Sequence, residues 1–138
     1  MAFRRNSDAQ NFVADAEADD YAGGTLEIRS GSQQSAPVGA ATGTLLVSIT
    51  LPDPAFDAAT GGEKAKSGTW QATAATSGTA GHARFVSSGG RVFECTVGGQ
   101  GSGADIELTN NIDGTDDTEI VAGNPVTITS FTFTAPAE

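Results

Sequence analysis

The clearest structural pattern in the sequence is His82-Ala-Arg-Phe-Val-Ser-Ser-Gly-Gly-Arg-Val-Phe-Glu-Cys-Thr-Val97. Apolar residues recur at every second position on both sides of a Ser88-Gly89-Gly90 turn, which is typical of two strands joined in a hairpin. Successive strand residues point to opposite faces, so a three-residue loop is needed to place Phe85 directly opposite Phe93. We therefore predict a β-hairpin with this loop and with both phenylalanines in the core.

The same register separates the single cysteine from the single histidine of the chain. Cys95 falls opposite Ala83 on the core face, whereas His82 points the other way. We expect Cys95 to be a small buried group and His82 to lie at the surface, which excludes a Cys-His nucleophilic dyad. A single cysteine also excludes an intrachain disulfide.

The two-residue period extends outward from the hairpin. In residues 25–29, Leu26 and Ile28 share one face. Residues 44–51 carry an apolar face made of Leu45, Val47, Ile49 and Leu51. Further strands are expected at residues 68–73, 104–108 and 125–134. In the last strand the apolar positions change parity, which indicates either a β-bulge near Thr129-Ser130 or two different neighbours along its length.

Seven or more short strands separated by turn signals predict a mainly β protein, an antiparallel β-sandwich or flattened barrel. We assign residues 25–138 to this domain and residues 1–24 to an N-terminal arm with a short helix. Trp70 and Tyr21 are interpreted as core aromatics rather than as a platform for sugar stacking.

Three features of residues 1–24 predict a helix with the same start, end and apolar face. Ser7 and Gln10 match a capping box, and Gly23-Gly24 supplies a stop. Apolar residues recur with the spacing of one helical face, namely Ala9, Phe12, Val13 and Ala16.

The charges at the two ends of this helix oppose its dipole. Arg4 and Arg5 lie near its start, whereas Glu17, Asp19 and Asp20 lie near its end. A helix with this charge distribution needs to pack against the rest of the protein to remain folded.

The amino-acid composition excludes several classes of partner. The chain of 138 residues carries 17 acidic and 7 basic side chains, a formal charge of -10, which repels phosphate backbones and anionic membrane surfaces. The N-terminal sequence lacks the apolar run of a signal peptide, and no stretch is long enough to span a bilayer. We expect a soluble protein made in a cytoplasm, with no nucleic-acid or membrane partner.

The chain has few residues of the types that catalyse reactions or bind metal ions. The acidic run from Asp113 to Glu119 is the best place for Ca²⁺, but its spacing does not fit an EF-hand, and a solvated turn is the favoured interpretation. We assign no metal, no cofactor and no catalytic residue, so an enzyme is not expected.

Three groups of segments resemble a family of small tailed-bacteriophage structural proteins: residues 24–31, 34–37 and 43–56, then residues 78–90, and finally residues 103–108 and 120–133. The resemblance implies a small β-sandwich or barrel unit of the virion. It further implies a decoration (cement) protein that binds the major capsid protein, and the charge of -10 favours the capsid exterior. The alternative is a tail, baseplate or receptor-binding component.

A decoration protein of this size is expected to act as a symmetric clamp, a homotrimer with a protruding segment. The N-terminal stretch is the candidate for that segment. Its expected partner-binding residues are Phe3, Arg4, Arg5, Phe12 and Val13.

Overall fold

The computed structural model describes residues 7–32, 41–61, 63–99, 102–109 and 118–134. These residues form one helix and ten strands: α1 (Ser7–Asp19), β1 (Thr25–Arg29), β2 (Leu45–Thr50), β3 (Glu63–Ala65), β4 (Gln71–Thr73), β5 (Gly78–Thr79), β6 (His82–Val86), β7 (Val92–Gly99), β8 (Ile106–Thr109), β9 (Glu119–Ile120) and β10 (Pro125–Thr134). The predicted helix and the mainly β composition are confirmed.

Eight of the strands form one curved sheet with the order β2-β1-β6-β7-β8-β10-β3, and β4 pairs with the first part of β10. Every pair in it is antiparallel except β7 with β8, which is parallel. Just after β4, the backbone N–H groups of Ala75 and Thr76 both donate to the carbonyl oxygen of Leu46 in β2. These bonds link the two ends of the sheet, so the fold is a nearly closed, flattened barrel.

The hairpin has the predicted register. Phe85 pairs with Phe93, and their rings stack with centroids 4.4 Å apart. The Ser87 N–H donates to the Arg91 carbonyl oxygen at 2.9 Å and closes the three-residue loop. Gly90 adopts a φ of 87°, a left-handed conformation that glycine adopts without steric cost.

Phe85 lies at the centre of an aromatic core. Its ring centroid is 5.0 Å from that of Phe131, 6.0 Å from that of Trp70 and 6.2 Å from that of Tyr21. The Trp70 Nε1–H donates to the Ser67 carbonyl oxygen at 3.1 Å, which satisfies the one polar group of the indole. Trp70 and Tyr21 are both buried, so their interpretation as core residues is confirmed.

Two bulges set which strand residues face the core. In β10 the register shifts between Ile128 and Ser130, which confirms the predicted bulge, and β10 also changes partner from β4 to β3 along its length. In β2 the shift falls at Leu46, so Leu46 and Val47 are both buried. Of the predicted apolar face, Val47, Ile49 and Leu51 are buried and Leu45 is half-buried, because the extra residue of the bulge interrupts the alternation of faces before Val47.

The prediction that His82 lies at the surface is wrong. His82 points away from Cys95, as expected, but the turn after β1 covers it, and its Nδ1–H donates to the Gly31 carbonyl oxygen at 3.0 Å. The side chain is fully buried. A residue 51 positions earlier in the chain therefore determines its environment, which strand parity alone does not specify.

We expect Phe85→Ala to lower the free energy of unfolding by about 3–5 kcal/mol, because a fully buried ring in contact with four other rings leaves a large cavity. Phe93→Ala should cost less, about 1–3 kcal/mol, because Phe93 is only half-buried. Urea unfolding of both variants measures the difference. An equal or greater loss for Phe93→Ala would contradict this account of the core.

His82→Ala should lower the free energy of unfolding by about 1–3 kcal/mol, because it removes a buried ring and its hydrogen bond to Gly31. Ser88→Ala is the matched control at an exposed turn position of the same hairpin, and it should stay within about 0.5 kcal/mol of the parent. If the two variants unfold at the same urea concentration, the burial of His82 contributes nothing.

Candidate functional site

The helix α1 contacts the barrel through its smallest side chains. Ala14 and Ala18 are fully buried, one turn apart on one face, and Tyr21 follows on the same side. Alanine at these positions lets the helix approach closely. The predicted apolar stripe is not the face that contacts the barrel, because Phe12 is 75% exposed and Ala16 is also exposed.

A buried lysine holds the helix in this orientation. Lys64 in β3 places its Nζ 2.6 Å from Asp15 Oδ1 and 3.1 Å from Asp19 Oδ1. Burial alone would lower the pKa of Lys64, but the hydrogen bonds that its ammonium group donates to both carboxylates outweigh the burial and raise that pKa. The hydrogen bond from Lys64 holds the pKa of Asp15 below its ordinary value. The contact is therefore an ion pair at neutral pH.

A groove of about 500 Å³ opens beside the exposed face of α1. Its lining consists of Phe12, Ala16, Glu17, Asp20, Tyr21 and Arg91. Arg91, from the hairpin turn, donates to Asp20 at 3.2 Å and forms one wall. Burial, with Glu17 and Asp20 nearby, raises the pKa of the Tyr21 phenol, which therefore stays neutral. The groove is therefore lined by apolar and charged side chains together.

The structure places only part of the expected partner surface. Phe12 lies at the groove, as an exposed apolar side chain. Phe3, Arg4 and Arg5 lie outside the described residues, and so does the side chain of Val13.

The expected cation loop is also mostly outside the described part of the chain. Of its acidic residues only Glu119, exposed in β9, is placed. Within the residues that the structure describes, no group of three or more His, Cys, Asp or Glu side chains is arranged to hold a metal ion.

A charged row on the outer face of the barrel is a feature that we did not predict from the sequence. Across β1, β6 and β7 the register places Glu27 beside Arg84 and Arg84 beside Glu94. The Arg84 guanidinium lies 2.9 Å from Glu94 Oε2, and the buried His82 Nε2 lies 3.9 Å from the same oxygen. Opposite charges on neighbouring strands stabilise the pairing of those strands. In the sequence, this row could have been predicted from the charged residues at strand positions that alternate with core-facing positions.

His82 lacks the geometry of a catalytic base for Cys95. The two side chains lie on opposite faces of the hairpin, as predicted. Cys95 is buried, and burial together with Asp105 and Glu94 raises the pKa of its thiol far above the ordinary value. The thiol therefore stays protonated and unreactive.

No family model, no curated protein and no solved structure matches this chain. In the described segments, no helix has the length and apolar character needed to cross a membrane. The groove beside α1 presents an exposed phenylalanine, Phe12, and is the candidate site among the described residues.

We expect Lys64→Met to destabilise the protein by about 1–2 kcal/mol at pH 7, because it removes the partner of two helix carboxylates. The folded-state pKa of Asp15 is lowered, so the pairing contributes fully above the ordinary value near 4 and is lost as the pH falls through the folded-state value. The difference between parent and variant should therefore shrink below pH 4.

Lys66→Met is the matched control for this experiment. Lys66 donates to the Gly68 carbonyl oxygen at 2.7 Å and lies over the Trp70 ring, and among the described residues no carboxylate takes part in this contact. Its effect on the free energy of unfolding should be the same at pH 7 and at pH 3. Urea unfolding at both pH values measures this, and a Lys64→Met effect that is equally insensitive to pH would contradict the role of the ion pair.

Proposed function

We propose that this chain is a viral structural protein that decorates the outside of a phage capsid and works by binding rather than by catalysis. The observation that carries the proposal is the outer face of α1. Phe12, a large apolar side chain, is 75% exposed there beside an open groove. An exposed apolar side chain at a recess is typical of a surface that another protein covers.

The anchoring of α1 to the barrel supports a binding role. Ala14 and Ala18 are buried against the barrel, and Lys64 ties Asp15 and Asp19 to β3. A surface that is already ordered loses little conformational entropy when a partner binds. The barrel acts as a base that presents α1 in one orientation.

The N-terminal arm belongs to the same proposed surface. Phe3, Arg4 and Arg5 immediately precede α1 in the sequence and add an apolar anchor and two positive charges. In a chain with a net charge of -10, two adjacent positive charges would favour a partner surface of the opposite sign. The arm and the exposed side of α1 together form the proposed attachment region.

The proposed partner is the major capsid protein, and the proposed place is the capsid exterior. A strongly acidic protein is repelled by packaged DNA, whereas the same charge keeps an exterior protein soluble. A specific contact needs on the order of 1,000 Å² of buried surface, so a closed homo-oligomer that contacts neighbouring capsid subunits is the favoured form.

Deletion of residues 1–6 tests the proposal. The truncated protein should keep its β-rich far-UV spectrum, because α1 and the barrel remain, but it should bind capsids that lack the protein at least about tenfold more weakly. Co-sedimentation with such capsids measures the binding. The full-length variant Arg4→Lys/Arg5→Lys keeps both charges, is the matched control, and should bind within about threefold of the parent.

Two results would count against the proposal. Equal capsid binding by the truncated and full-length proteins would remove the arm from the attachment region. Binding of the full-length protein to tails or to host cells, with none to capsids, would replace decoration by a tail or receptor-binding role.

A further inference from the structure

The end of α1 beside the groove carries more negative than positive charge. Its last turn contains no basic residue, and the carbonyl groups at the end of a helix add a partial negative charge that favours a cation nearby. Asp19 and Asp20 each pair with a cation of the barrel. Glu17, in contrast, is exposed and forms no ion pair within the described segments. One carboxylate of the groove is therefore left for a partner.

The groove also offers an aromatic surface. The ring of Phe12 is 75% exposed, and Ala16 lines the groove with it. The two residues are four positions apart, so they lie on the same side of the helix. An aromatic ring attracts a cation to its face through its quadrupole. The lining thus combines apolar contact with negative charge.

The charge balance of the lining favours a cationic occupant. Glu17 and Asp20 supply two carboxylates and Arg91 supplies one guanidinium, so the carboxylates outnumber the cation. Burial raises the pKa of the Tyr21 phenol, and the charges of Glu17 and Asp20 raise it further, against the opposing charge of Arg91. The field of the two carboxylates therefore extends to the aromatic side of the groove.

Other classes of side chain fit this lining less well. A purely apolar side chain would cover the Glu17 carboxylate and leave it without a partner, which is unfavourable. An acidic side chain would be repelled by the excess of carboxylates. An arginine side chain avoids both problems, because its aliphatic stem packs on apolar surface and its planar guanidinium stacks on an aromatic ring while it pairs with a carboxylate.

We propose that the groove beside α1 binds an arginine side chain of the partner protein, with the guanidinium held by the Phe12 ring and the Glu17 carboxylate and the stem packed on Ala16. The inference rests on the proposed function for the identity of that partner, the major capsid protein, and adds the chemistry that this partner presents to the groove. The ion pair of Arg91 with Asp20 stays intact in this arrangement.

A titration with a single side chain tests the chemistry of the groove without any capsid. N-acetyl-arginine amide is added to the full-length protein at constant ionic strength, and the backbone amide chemical shifts are followed by NMR. One side chain binds weakly, so we expect a Kd on the order of 10 mM, with shift changes centred on Phe12, Ala16 and Glu17. N-acetyl-citrulline amide has the same stem and a planar but uncharged end. It is the matched control and should bind at least about fivefold more weakly.

Two substitutions test the assigned contacts in the same titration. Glu17→Gln removes the charge and Phe12→Ser removes the ring, and each should weaken binding of the arginine amide at least about threefold. Both should leave the far-UV spectrum unchanged, because both side chains are exposed. Glu63→Gln removes an equal charge at an exposed position of β3. It is the matched control and should leave the titration unchanged.

Co-sedimentation with capsids that lack the protein tests whether the partner uses this chemistry. Glu17→Gln should weaken capsid binding at least about tenfold, whereas Glu17→Asp keeps the charge and should recover most of the affinity. A Glu17→Gln variant that binds capsids like the parent overturns the inference and leaves the proposed function standing.

The titration has its own contrary results. Equal binding of the arginine and citrulline amides, shift changes centred away from the groove, or a Glu17→Gln variant that titrates like the parent overturns the inference. If the full-length protein binds the arginine amide in the groove but binds no capsid, the proposed function falls and the capsid falls with it as the source of the arginine, whereas the preference of the groove for arginine is retained.

Discussion

The stacking of Phe85 on Phe93 across the β6–β7 hairpin is the contact on which the rest of the structure depends. Their ring centroids are 4.4 Å apart, and Phe85 also touches Trp70 and Phe131 from more distant parts of the chain. A slip of one residue between the two strands would place the two rings on opposite faces of the sheet and break their stacking. The register of this hairpin therefore determines whether both rings contribute to the core.

The core in turn determines how α1 is presented. Tyr21, which follows the helix, packs edge-on against Phe93 with a centroid distance of 4.8 Å. Lys64 then holds the helix from the side of β3 through Asp15 and Asp19. These contacts use one side of the helix and leave Phe12 exposed. Because α1 is anchored through one side only, its other side, which carries Phe12, stays accessible to a partner.

The outer face of the barrel shows how the acidic chain distributes its few positive charges. Arg84 lies between Glu27 and Glu94 in a row across three strands, and Arg29 pairs with Glu27 at 2.8 Å. Arg91 pairs with Asp20 at the groove. Among the described residues these cations are committed to carboxylates within the chain. Arg4 and Arg5 are the adjacent pair of arginines in the sequence, and we propose that they contact a partner protein.

The sequence alone was enough to predict what depends on alternation along a strand, namely the hairpin register, the opposite faces of Cys95 and His82, and the change of parity in β10, which it attributed to a bulge or to two different neighbours. Parity is a local property, so neighbouring residues suffice to predict it. The sequence did not reveal the burial of His82, the Ala14 face of the helix or the short strands β3, β5 and β9. Each of these depends on a segment distant in the chain, such as Gly31 above His82 or β10 beside β3. The groove was decided by tertiary structure for the same reason, because Arg91 comes to Asp20 only once the barrel has folded.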